Sequence, residues 1–164
     1  MSRDRTDVRY PQQAGLCSLS RWSGPPDRCR WCDAPAASGF AWCGSRCEDA
    51  YRENHWWDLA RAAALARDGN RCTTCGIGPD DVQVARWFLR AFIPLGPVEA
   101  AELWQSRAWA ELVLACSVEV NHIDPRRGGG YGSGCHHHLH GLETLCHRHH
   151  VAVTVAQRHA ARAG

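Results

Sequence analysis

The chain has 164 residues, room for one medium domain or a small domain with an appendage, and its 45% hydrophobic content suits a globular protein. A formal net charge of +2 is too small to argue for a polyanionic partner by itself, and no stretch is long and apolar enough to cross a membrane. Ten cysteines and eight tryptophans are far from ordinary usage, and the N-terminal MSRDRTDVRYPQQAG lacks the apolar region of a secretory signal. A cytoplasmic location is therefore expected, where closely paired cysteines serve metals more often than disulfides.

Residues 1–27 are rich in Arg, Ser, Gln and Pro and are expected to form a disordered tail. From Cys29 to Cys47 the chain reads as a short metal-bound knuckle, CRWC followed by CGSRC, and residues 28–64 are assigned to this knuckle and a linking helix. The segment Glu48 to Arg67 is Ala-rich, lacks Gly and Pro, and stops at Asp68-Gly69-Asn70, which predicts one helix. Residues 65–164 form the last predicted domain. It opens with a second cysteine pair, RCTTCG, followed by helices over 81–93 and 97–115 whose apolar residues (Val84, Trp87, Phe88; Leu103, Trp104, Leu112) are expected to pack in a core.

The period then changes. Val118 to Ile123 alternates as a strand does, and Pro125 ends it. The Gly-rich RRGGGYGSG follows, its Gly128-Gly129-Gly130 run reading as a flexible loop near the substrate. His136, His137 and His138 form a run that could take up metal adventitiously but is expected to be a solvated loop. A short apolar stretch from Leu142 to Leu145 precedes a C-terminal helix. Nine of the ten histidines lie between His122 and His159, so polar-site chemistry is concentrated at this end.

Two zinc sites are predicted. Cys72-x-x-Cys75 is a half-site whose best partner is Cys146-x-x-His149, about seventy residues later. Cys29-x-x-Cys32 with Cys43-x-x-x-Cys47 would form a local four-cysteine site; the bland alternative for Cys72 and Cys75 is buried thiols. Four protein ligands leave no open coordination position, so both zinc ions are expected to be structural. Cys17, Cys116 and Cys135 receive no role, Cys116 being most simply a small buried apolar side chain.

The segments RDGNRCTTCG, VEVNHIDPRRGGG and GLETLCHRHHVAVT, in this order, resemble the HNH endonuclease family in its branch with paired zinc ligands. The resemblance spans roughly residues 65–160, with a helical insert between the first two pieces. It implies a small α+β fold with a ββα-metal (HNH, or His-Me finger) core, stapled by zinc and preceded here by the four-cysteine knuckle. It implies that His122 is the general base, that Asn121 occupies a metal-binding position where many relatives carry Asp, and that His150 closes the metal site from the start of the helix. Arg148 and Arg158 would contact phosphate.

The sequence departs from the pattern at His149, where Cys is usual, and at Gly141, where relatives carry the Asn that braces the catalytic loop; His138 or His140 could take over the bracing. The implied activity is hydrolysis of phosphodiester bonds in DNA, double-stranded by expectation. Its divalent ion would be Mg2+ or Mn2+, with Zn2+ or Ni2+ as alternatives. The competing reading, favoured by Gly141, is a non-catalytic zinc module that binds DNA or protein.

Overall fold

The computed structural model describes residues 11–124 and 134–163. The Gly128–Gly130 loop lies outside the described residues. Among them are six helices, α1 (Ser45–Glu53), α2 (Trp57–Arg67), α3 (Pro79–Phe92), α4 (Pro97–Gln105), α5 (Arg107–Cys116) and α6 (His147–Ala163). Two strands, β1 (Val118–His122) and β2 (Leu142–Cys146), pair as an antiparallel sheet. The fold is therefore small α+β, with strand, strand and helix consecutive at its C-terminal end. No helix among the described residues is long and apolar enough to cross a membrane.

Helix boundaries follow local chemistry. Pro79 and Pro97 open α3 and α4, positions where a missing N–H costs nothing. The single helix expected over 97–115 is instead two, because Ser106 leaves helical geometry and its hydroxyl accepts the Trp109 N–H at 3.2 Å as an N-cap. The helix expected from Glu48 to Arg67 is likewise broken. Asn54 donates its side-chain amide to the Ala50 carbonyl at 2.8 Å, and the next residue, His55, turns fully into the interior.

The chain divides into two compact units, one of Met1–Ala64 with His122–Leu142 and one of Leu65–Asn121 with Glu143–Gly164. In the first unit Tyr51 is fully buried, stacked on His55 at 4.2 Å between centroids and flanked by Trp31, Trp42 and Trp56. Ala14 and Cys17 are buried against the same cluster, with Ala14 on a 3₁₀ turn at Pro11–Leu16. The expectation of disorder over residues 1–27 thus fails from Pro11 onward. Ala14 and Cys17 are buried there, and Leu19 and Trp22 pack against them, few apolar residues in an otherwise polar stretch.

In the second unit α5 packs on α3, α4 and α6, and Leu145 is buried with Cys72 and Cys146 against Val153. The core role expected for the insert residues is corrected: Val84, Trp87, Phe88 and Leu112 are exposed. Spacing puts Val84, Trp87 and Phe88 on one stripe of α3, but that stripe packs along itself, Phe88 on Phe92 at 4.8 Å and Trp87 edge-on to Phe92 at 5.8 Å. Trp104 is half-buried under the Arg86 guanidinium, 5.0 Å from the ring centroid.

Candidate metal centres

The two Cys-x-x-Cys pairs adopt the same turn. In each, the first cysteine's carbonyl accepts the N–H four residues on (Asp33 to Cys29, 3.0 Å; Gly76 to Cys72, 2.8 Å). Its own N–H donates to the carbonyl five residues on (Ala34, 2.8 Å; Ile77, 2.8 Å). The residue after the second cysteine takes positive φ, 64° at Asp33 and 74° at Gly76. This folds the chain back so that both sulfurs face one point.

The predicted partners meet there. Cys29, Cys32, Cys43 and Cys47 form one group, and Cys72, Cys75, Cys146 and His149 another, with all ligand atoms in each group within 4.8 Å of one another. A tetrahedral zinc ion with ordinary Zn–S and Zn–N bonds sets its ligands about 3.3–3.8 Å apart. The separations fit: 3.6 Å for Cys32 to Cys43 and for Cys43 to Cys47, and 3.9 Å for Cys75 to Cys146. His149 Nδ1 lies 3.4 Å from Cys72 and 3.3 Å from Cys146. Substituting His149 for the usual Cys leaves the geometry intact.

Proton affinities point the same way. Burial opposes ionisation of Cys72, yet hydrogen bonds from the backbone of Cys146, Cys75 and Thr74 and from the His149 ring hold it down at about 6. Burial likewise opposes Cys29, and backbone hydrogen bonds bring it to about 6. Cys47 is pushed up, first by burial and then by the neighbouring Cys43, Cys32 and Cys29 thiols. One thiolate per group forms readily and pushes neighbouring thiols up, Cys43 and Cys47 in one group and Cys75 in the other, a conflict that a shared dication removes.

A third convergence was not anticipated. Cys17, His55, Cys135 and His138, all in the first unit, bring their ligand atoms within 4.8 Å of one another. Cys17 Sγ lies 3.2 Å from His55 Nε2 and 3.3 Å from His138 Nε2. Cys17 and Cys135, left without roles on sequence, belong here. His137 is fully buried and His138 nearly so, which corrects the expected solvated loop. A usable signal existed, since Cys135-x-x-His138 has the same spacing as Cys146-x-x-His149; Cys17 and His55 carry no pairing signal. Cys116 is buried, as expected.

The residues implied by the nuclease resemblance fall in two places. In the second unit Glu119 and Asn121 share one face of β1 by strand alternation. Glu119 accepts from His150 Nδ1 at 3.1 Å, with His147 Nδ1 at 3.6 Å from its other oxygen. Asn121, nearly buried, donates its amide N–H to Glu143 on β2 at 3.0 Å. Neither glutamate was foreseen; alternation from Asn121 could have singled out Glu119. In the first unit the ring of His122 stacks on Trp57 at 5.0 Å, and its Nε2 lies 3.2 Å from Nδ1 of His137. Gly141, in the position of the family Asn, accepts the Ile123 N–H on its carbonyl at 2.9 Å. Arg148 and Arg158 are exposed on α6.

No protein-family model, curated protein or solved structure significantly matches this chain. Fold and geometry together define a small α+β protein with Cys/His groups suited to zinc.

Proposed function

We propose that this chain is a metal-dependent endonuclease that hydrolyses phosphodiester bonds in DNA, with His122 as general base. The observation that carries the reading is the set of polar side chains on β1, β2 and the first turn of α6. There Glu119 holds His150 and Glu143 holds Asn121, and the next residue along the chain is His122.

The donor types suit a hard divalent ion. With its amide N–H given to Glu143, Asn121 keeps its carbonyl oxygen as the ligand atom. With Nδ1–H given to Glu119, His150 keeps Nε2, the carboxylate–histidine pairing common behind metal ligands. Oxygen and nitrogen donors of this kind suit Mg2+ or Mn2+, with Zn2+ or Ni2+ as alternatives. When bound, such an ion supplies charge neutralisation at the phosphate and the leaving oxygen.

The protein's own part is proton transfer and positioning. If His122 is to take a proton from the attacking water at Nδ1, its Nε2 must carry the other proton, and Nδ1 of His137 is placed to accept it. Stacking on Trp57 fixes the plane of the ring. Arg148 and Arg158 present guanidinium groups that match phosphate bidentately.

The purified chain with Mg2+ or Mn2+ is expected to nick supercoiled plasmid. His122→Ala is expected to slow nicking by about 100-fold or more, the usual contribution of a general base, with zinc content unchanged. Full cleavage by that variant would remove His122 from the mechanism. Salt-sensitive DNA binding without cleavage under any of these ions would favour a non-catalytic module, the reading that Gly141 supports.

A further inference from the structure

We infer that Cys17, His55, Cys135 and His138 are the ligands of a third, mononuclear zinc site that ties the N-terminal segment and the 134–141 segment to the α1–α2 junction. This goes beyond the nuclease reading and does not depend on it.

The ligand set is complete. Two thiols and two imidazoles give four donors, so no position remains for water or substrate and the ion is structural. The two Cys17–imidazole edges of the polyhedron, 3.2 and 3.3 Å, match those of a single tetrahedral ion and the 3.3 and 3.4 Å edges at His149. Confinement of all four donors within 4.8 Å of one another is too tight for a cluster with two metals between them.

The site is also supported from behind. His55 Nδ1 donates to the Tyr51 carbonyl at 2.6 Å, which fixes the ring tautomer and leaves Nε2, the nitrogen facing Cys17, with its lone pair. His55 is fully buried, and Cys17 and His138 nearly so. Without an ion, the two thiols and the two imidazole nitrogens facing them would sit crowded against one another in the interior, an unfavourable burial of polar groups.

Its place in the chain gives it a task. Gly134 N–H donates to the His55 carbonyl at 2.7 Å, and Leu139 N–H to the Asn54 side chain at 3.0 Å. The ligands Cys135 and His138 therefore clamp the segment on either side of His137, the residue that meets His122. The ion thus fixes the neighbour of His122 whether or not His122 acts on a phosphodiester.

The test is zinc stoichiometry and ligand composition of the full chain, purified from zinc-supplemented culture under reducing conditions. Three equivalents by elemental analysis are expected, and X-ray absorption should report an average of three sulfurs and one nitrogen per ion. Two sites alone would give two equivalents with an average of 3.5 sulfurs and 0.5 nitrogen. Cys135→Ser should lower the count by one, whereas His138→Cys, which keeps a ligand there, should retain three. If Cys135→Ser does not fold, the wild-type count and sulfur-to-nitrogen ratio still decide. Two equivalents in the wild type, three in folded Cys135→Ser, or a Cys17–Cys135 disulfide in the intact-mass spectrum would overturn the site.

Discussion

At the scale of single residues, two glycines with open space around them differ in whether their backbone accepts a side chain. Gly141 lacks positive φ, and a Cβ built on it has nothing within 4 Å. Its carbonyl already holds Ile123, the residue after His122, so a side chain at 141 starts close to the loop that the HNH resemblance expects an Asn to brace. Gly141→Asn is therefore expected to fold normally and, if the nuclease reading holds, to raise the plasmid-nicking rate about 10-fold, the lower range for restoring a supporting contact at a metal site. An unchanged rate would mean that the loop is braced from elsewhere. Gly76 is the opposite case. Space is open around it too, but φ is +74°, and an alanine forced into that region costs about 1–2 kcal/mol. Gly76→Ala should lower the urea midpoint accordingly and weaken zinc retention by Cys72 and Cys75. The equivalent Asp33 tolerates φ of 64° because its carboxylate accepts both the N–H and the hydroxyl of Ser23, each at 2.9 Å.

At the scale of elements, Asp68 joins the end of α2 to β2. Its Oδ2 accepts the Thr144 N–H at 3.2 Å while Arg67 grips the carboxylate from one side. The Arg67 hydrogen bonds, opposed by burial and helped by Thr144, lower the Asp68 proton affinity below the usual carboxylate value. A group whose value falls on folding stabilises the fold fully above its unfolded value, near ~3.9, and loses that contribution as pH drops through the lower folded value. Asp68→Asn should thus cost about 1–2 kcal/mol at pH 7 by urea denaturation, with the difference closing at acid pH as the solution falls below ~3.9 and through the lower folded value. An equal cost at both pH values would assign the effect to shape instead of charge. Sequence reading located β1, β2 and α6 correctly because alternation and the Cys146-x-x-His149 pair mark them. It ran α1 into α2 and α4 into α5 because both breaks depend on one polar side chain, Asn54 or Ser106, whose effect is decided by its hydrogen bond and not by periodicity. The 136–138 run was misread for a related reason: three consecutive histidines read as polar, and only Cys17 and His55 around His138, with His122 and Trp57 beside His137, show why two of them are inside.

At the scale of the molecule, the apolar interior is thin. Of the twelve buried apolar residues among those described, five are cysteines, and four of those (Cys17, Cys29, Cys72 and Cys146) belong to the Cys/His groups. Two of the three groups were legible because their ligands come in close pairs; the third joins residues 17, 55, 135 and 138, distant in sequence and brought together only by folding. Groups able to hold metal therefore stand where a larger domain would place leucine and valine, and zinc bound there at about 10–16 kcal/mol per structural site would match or exceed the whole stability of an ordinary domain. Removing the ions should then abolish folding and not merely loosen it. The first unit offers a direct probe, since Tyr51 is packed among Trp31, Trp42, Trp56 and His55 next to Cys17. Titration with a strong chelator under reducing conditions is expected to erase the near-ultraviolet circular dichroism of this aromatic cluster in step with zinc release, and added zinc should restore it. Near-native aromatic dichroism and a cooperative melt in metal-free protein would show that side-chain packing alone holds the fold, and would reduce the Cys/His groups to passengers.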